Sequence, residues 1–120
     1  MFHVCGRKTL PFDFMGLQIR ELTPVGLESA SVAEIEVPPG SQHETARSTR
    51  SDKVYICIQG KVIFRVENSG VELQTGDVLL IKKNEWFNYV NDTDSPVKMV
   101  LLHIPPFDIN SEEFKSKEII

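Results

Sequence analysis

The chain has little of what most chemistry-bearing signatures require. Its 120 residues include two cysteines, Cys5 and Cys57, and three histidines, His3, His43 and His103. The cysteines stand far apart, with no CxxC and no zinc-finger spacing, so neither a disulfide framework nor a cysteine-based metal knuckle organises the fold. Positive charge is short as well. Thirteen Lys and Arg stand against 17 Asp and Glu, giving a net charge of -4 and a pI near 5.3. Neutralising a phosphate backbone needs a dense basic surface, so no nucleic-acid partner is expected. No apolar run approaches the length of about 20 residues that crosses a bilayer. The opening MFHVCGRKTLPFDF has no continuous apolar stretch of the signal-peptide kind. These absences predict a cytoplasmic chain with reduced thiols and no membrane partner.

What is present is ordinary in amount and informative in order. Hydrophobic residues make 41% and charged residues 25%, the composition of a globular domain with one modest core. Apolar residues recur with a period of two rather than 3.6. The pattern predicts strands at 16–22, 31–37, 53–58, 61–66, 71–74, 78–81, 86–90 and 97–104, separated by turn signals such as Asn68-Ser69-Gly70 and Thr75-Gly76-Asp77. PFDF reads as a turn, and TARSTRSDK as an exposed polar loop. Asn110, three residues ahead of Glu113, predicts a capped C-terminal helix over 112–120. Many short strands with almost no helix indicate one all-β sandwich or barrel over 1–120, with its core at about 16–105 and a tail at 106–120.

The segment GDVLLIKKNEWFNYVN narrows this class. It places Gly76, Lys82, Asn84, Phe87 and Asn91 at set intervals. That spacing resembles the second signature of the cupin family, whose residues there are usually Gly, Pro, Gly, His and Asn. The first signature is matched upstream by PPGSQHETARSTRSDKVYICIQG. Gly60 closes it, Gly40 opens it, and Lys53 stands in the usual Glu position. The two usual His positions fall on Arg47 and Thr49, or on Ala46 and Ser48 with the longer gap. The resemblance covers about 30–105 and implies a small, single-domain, type-2-like cupin: a double-stranded β-helix, or jelly-roll, barrel. It carries no metal ligand across, since Phe87 has no lone pair and Lys53 is a cation.

The candidate pocket residues at the barrel mouth are therefore Arg47, Thr49, Lys53, Tyr55, Phe87, Tyr89 and Asn91, with no cofactor. Guanidinium and ammonium groups attract anions, so the expected partner is a small anionic metabolite, held by a binding, sensor or auxiliary protein. The alternative is a metal-free isomerase or epimerase acting on a sugar or keto acid, with Lys53 and Tyr55 as acid and base. A metal site would have to be assembled from His43, His103 and Cys57. Each candidate also has a plainer role. Lys53 pairs with a nearby carboxylate, Phe87 fills core, Asn91 holds a turn, and Cys57 is a small buried hydrophobe. The strands at 53–58 and 97–104 are apolar on both faces, so the outer sheet is covered, by the N-terminal strands or by a second copy in a homodimer.

Overall fold

Residues 1–23 and 27–115 are described in a computed structural model of the chain. The described strands are β1 (Phe12–Phe14), β2 (Leu17–Glu21), β3 (Ser31–Val37), β4 (Gln42–Ser48), β5 (Asp52–Gln59), β6 (Lys61–Val66), β7 (Ser69–Gln74), β8 (Val78–Ile81), β9 (Phe87–Val90), β10 (Val97–Ile104) and β11 (Glu112–Phe114). Single 3-10 turns lie at Gly6–Lys8 and Ile109–Ser111.

Alternation builds the layers. β3 buries Ser31, Ala33, Ile35 and Val37, while β10 buries Val97, Met99, Leu101 and His103. Because strand side chains alternate between faces, each such strand presents one continuous row to the interior. All pairings are antiparallel, in a six-stranded sheet ordered β1-β2-β3-β10-β5-β8 and a five-stranded sheet ordered β11-β4-β9-β6-β7. The two inner faces share one core that includes Leu17, Val37, Tyr55, Val62, Phe64, Phe87, Tyr89 and Met99. Each large apolar side chain buried there contributes about 1.5–3 kcal/mol. This is the all-β jelly-roll barrel that the signatures imply.

The signature turns explain their residues. Gly60 has φ 88°, and a Cβ on it would stand 3.1 Å from both the Pro96 carbonyl oxygen and Val97 Cγ2, so a side chain here would be strained and would have to push its neighbours aside. Asn84, in a position that is usually Gly, has φ 72°. Asparagine is among the few residues that tolerate this left-handed region.

Three predicted segments differ. Residues 112–114 form β11 rather than a helix, paired with β4 through Glu112–Ser48, Glu113–Arg47 and Phe114–Ala46. Local helix propensity loses here because Glu112 and Phe114, two apart, both have a cavity to fill and a sheet edge to join. Asp108, not Asn110, does the capping, its Oδ1 accepting from the Asn110 amide at 3.0 Å. The rest of the predicted helix, 116–120, lies outside the described residues. The polar stretch read as a loop contains the second half of β4 and the start of β5, and the outward groups of β4 find partners on neighbouring strands. PFDF contains β1, which pairs with β2.

The outer face of the six-stranded sheet is apolar across β5, β8 and β10, with Ile58, Val78 and Leu80 exposed. β1 and β2 do not cover it; they extend the same sheet beside β3. No helix among the described residues is long and apolar enough to cross a membrane.

Candidate functional site

The barrel fixes which signature residues face inward. Ala46, Ser48, Lys53 and Phe87 are all buried on the inner faces, so the register in β4 follows the longer gap. Arg47 and Thr49 consequently point outward, contrary to the sequence expectation. Arg47 lies 4.6 Å over the Trp86 ring and pairs with Glu113 at 2.7 Å, while Thr49 Oγ1 donates to the Ser111 carbonyl at 3.1 Å. Asn91 is buried but spent on its own turn. Its Nδ2 donates to the carbonyls of Val37 at 3.0 Å and Ser95 at 2.7 Å, and its Oδ1 accepts from Thr93 N and Oγ1. Lys53, Tyr55 and Tyr89 do line one cavity, of about 200 Å³, together with His43, His103, Glu112 and Glu21. Phe87 supports it from the core, its ring 4.8 Å from Lys53 Nζ.

The four inward signature positions do not suit a metal. Zinc or iron needs three or four nitrogen, sulfur or carboxylate donors converging at about 2 Å. These positions offer a methyl group, an ammonium, a phenyl ring and the Ser48 hydroxyl, which already accepts from the amides of Arg50 at 3.2 Å and Ser51 at 2.8 Å. The reserve set is not gathered either. His43 and His103 share the cavity, but the Lys53 ammonium is close enough to oppose a positive charge on both. Cys57 Sγ rests against the carbonyls of Gln59 and Gly60, at the far end of β5, and burial raises its thiol pKa. Among the described residues, no three His, Cys, Asp or Glu are grouped to hold a metal ion.

His43 reaches the cavity through a β-bulge. β4 pairs His43 with Tyr89 and then Ala46 with Phe87, leaving Glu44 and Thr45 together opposite one residue of β9. The extra residue lets His43 and Ala46 face the same way although they are three apart. Counting by twos from Ala46 puts His43 outside, so the sequence carried no signal for it beyond being a histidine in the right segment. Its ring lies 5.1 Å from those of Phe87 and Tyr89. Nδ1–H donates to the Glu44 carbonyl at 2.5 Å, which leaves Nε2 with its lone pair. Burial, aided by the Lys53 charge and partly offset by the Glu44 carbonyl, pushes its pKa down to about 4. His103 is driven down to about 3, by burial first and Lys53 second. Both imidazoles are therefore neutral near pH 7.

Two buried polar side-chain atoms among the described residues have no partner, Tyr89 Oη and His103 Nε2, and both residues line this cavity. Burial raises the pKa of Tyr55 and of Tyr89, keeping both phenols protonated as donors. Burial lowers Lys53, against which Glu112 acts as a counter-charge through a direct ion pair. Glu112 lies in the predicted tail, where three residues of β11 are too few to show strand alternation, so the sequence carries no signal for it. A wider groove of about 780 Å³ lies along β4 and β9, around Trp86, Asn88 and Thr45, and reaches in to His43, Tyr89 and Phe114. It shares those three residues with the smaller cavity but has none of Lys53, Tyr55, His103 and Glu112, so the smaller cavity, which holds both unpartnered residues, is the candidate site.

Similar proteins place this geometry in context. The uncharacterized protein MJ1618 of Methanocaldococcus jannaschii is 25% identical over 83 residues, which span 69% of this chain and 66% of its own length. Among solved structures, PAC13 of Streptomyces, with one histidine changed to glutamine and uridine present, superposes with a TM-score of 0.84 at 20% identity, covering 97% of this chain and 92% of that one. The same protein is described as a nucleoside dehydratase, and further structures with uridine change one or the other of two tyrosines to phenylalanine. KdgF from a Halomonas species superposes with a TM-score of 0.81 at 15% identity, over 90% of this chain and 96% of that one. At these identities the superpositions speak for the fold. The Cupin domain family model matches residues 33–104, which include both signatures, and the chain belongs to the cupin family.

Proposed function

We propose that this barrel is a metal-independent enzyme that performs acid–base chemistry on a small hydroxyl-bearing carbonyl compound, of the kind that eliminates water. One observation carries the reading: Tyr89 Oη and His103 Nε2 are buried without partners in the same cavity as a neutral His43. A buried hydroxyl or ring nitrogen left unpaired costs about 1–3 kcal/mol, and a fold keeps it only where something else uses it. A ligand carrying oxygen atoms would satisfy both.

The chemistry follows from the protonation states. His43 Nε2 is a free base, and it can take the proton from the carbon next to a carbonyl. A tyrosine O–H donates to the carbonyl oxygen as it gains negative charge, in a site with little water to compete. The electron pair then expels a hydroxyl from the neighbouring carbon, which takes the proton now held on His43 and leaves as water, giving an unsaturated carbonyl product and a neutral His43 again. Stopping after the first step and returning the proton elsewhere would be isomerisation, the reaction type of the alternative sequence reading. PAC13 supports the elimination form, because its variants solved with uridine change one histidine and two tyrosines, the residue types that line this cavity.

The test is a panel of nucleoside and sugar aldehydes with a hydroxyl two carbons from the carbonyl, followed by mass spectrometry for loss of one water. Conversion that survives a chelator and disappears in His43→Gln and Tyr89→Phe is the expected result. Activity that vanishes with chelator and returns with a metal would defeat metal independence. Tight binding without conversion would make the protein a binding or sensor module.

A further inference from the structure

The chain that follows β10 closes the cavity as a strap. Its start is fixed by Ser51 Oγ donating to the Pro105 carbonyl at 2.7 Å and the Phe107 amide donating to Ser31 Oγ at 2.8 Å. Its end is fixed by the Thr49 amide on the Ser111 carbonyl at 2.9 Å and the Lys115 amide on the Thr45 carbonyl at 3.0 Å. With β11 held this way, Glu113 faces out to Arg47, while Glu112 and Phe114 line the cavity. The Glu112 carboxylate meets the Lys53 ammonium there, and their side chains are only 6% and 4% exposed.

That contact decides the charge of the site. Lys53 is the only Lys or Arg lining the cavity among the described residues, so any anionic group would have to use it. Glu112 already holds it. Glu21, on the same lining, adds a further carboxylate rather than a cation. Burying another negative charge beside a paired one is unfavourable, since desolvation is then opposed by repulsion instead of attraction.

We propose that Glu112 is a specificity-determining residue: it occupies, from within the chain, the place on Lys53 that a substrate carboxylate or phosphate would take. The cavity therefore selects uncharged substrates, of the nucleoside or free-sugar class, over their phosphorylated or carboxylated counterparts. This reverses the anionic ligand expected from Arg47 and Lys53, one of which lies outside the barrel while the other is neutralised. The ligand class rests on the acid–base reading of the same cavity; the charge preference rests on the ion pair.

The test is calorimetric titration with uridine, uridine 5′-monophosphate and inorganic phosphate. The unaltered protein binds uridine at least roughly tenfold more tightly than the monophosphate. Glu112→Gln gains monophosphate or phosphate affinity by roughly 10–100-fold, the range of a charge-assisted hydrogen bond. Adding Lys53→Met to it abolishes the gain. Equal binding of uridine and its monophosphate by the unaltered protein, or no gain in Glu112→Gln, overturns the proposal. If Glu112→Gln does not fold, the charge-swapped pair Lys53→Glu with Glu112→Lys replaces it. That pair restores the ion pair in reverse, and it must keep the preference for the neutral ligand. Failure of uridine to bind at all would count against the acid–base reading, while the phosphate gain in Glu112→Gln would still decide the role of Glu112.

Discussion

Tyr89 combines two properties that pull apart under mutation. Its hydroxyl is fully buried and unpartnered, so it weakens the fold while serving the cavity. Tyr89→Phe keeps the ring, which packs 4.8 Å from Phe64, and deletes only the unpaired group. The variant is expected to be as stable as the parent or about 1 kcal/mol more stable, by urea midpoint, with uridine affinity reduced roughly tenfold. A clear loss of stability would mean that the hydroxyl has a partner, and the functional reading would lose its main support. The two cavity histidines make a second prediction. Folding holds His43 near 4 and His103 near 3, both below the ordinary 6.5. The unfolded chain therefore binds protons that the folded chain refuses, so stability is full above pH 6.5 and is lost as pH falls toward those values. Each histidine contributes up to about 1.4 kcal/mol per pH unit in that window. Urea midpoints between pH 6.5 and 4 should fall more steeply for the parent than for a variant carrying His43→Asn and His103→Leu. Parallel slopes would show that the two rings are not buried neutral.

At the scale of elements, the β9–β10 connection separates structure from function. Asn91 makes four side-chain hydrogen bonds, three within this turn and one to Val37 at the end of β3, and none of its amide atoms is left for a ligand. Asn91→Ala should cost about 2–4 kcal/mol at about 1 kcal/mol per bond. Uridine affinity should stay unchanged in the folded protein; a selective loss of binding would return Asn91 to the site. The same elements show what was legible in the sequence. β3, β5, β6 and β10 follow strict alternation, and Gly60 and Gly76 mark turns that require positive φ, so the barrel could be read directly. Lys53, Tyr55, Phe87 and Tyr89 were found as inward residues for the same reason. β4 defeated the pattern twice. Its polar outward side chains mimic a loop, and its bulge adds a residue that periodicity cannot count, which hid His43. Arg47 and Thr49 were misplaced separately, because the turn between Ser48 and Ser51 adds a residue to the count back from Lys53. β11 was hidden differently, since Glu112 and Phe114 gain their places from pairing with β4, a partner more than 60 residues away in sequence.

The outer face of the six-stranded sheet is the feature that one copy of the chain leaves unexplained. Val54 and Ile56 of β5, Val78 and Leu80 of β8, and Val100 and Leu102 of β10 lie in register across it. At its β3 side the face becomes charged, where Glu36 opposes Lys98 and Arg20 pairs with Glu34 at 3.2 Å. An apolar centre with a charged border is the anatomy of an interface rather than of a wet sheet. We propose that two copies meet here about a two-fold axis, which presents the same patch from each side and leaves both cavities, on the opposite face of the sheet, open to ligand. Light scattering should then give twice the 13.6 kDa chain mass at micromolar concentration. Val78→Lys with Leu80→Lys, at positions 60% and 54% exposed in one copy, should give the monomer mass with the strand spectrum retained. Its thermal midpoint should no longer rise with protein concentration, because association stabilises the folded state only by mass action. A parent protein that is monomeric at those concentrations would remove the dimer, and the exposed face would then need an occupant of different chemistry.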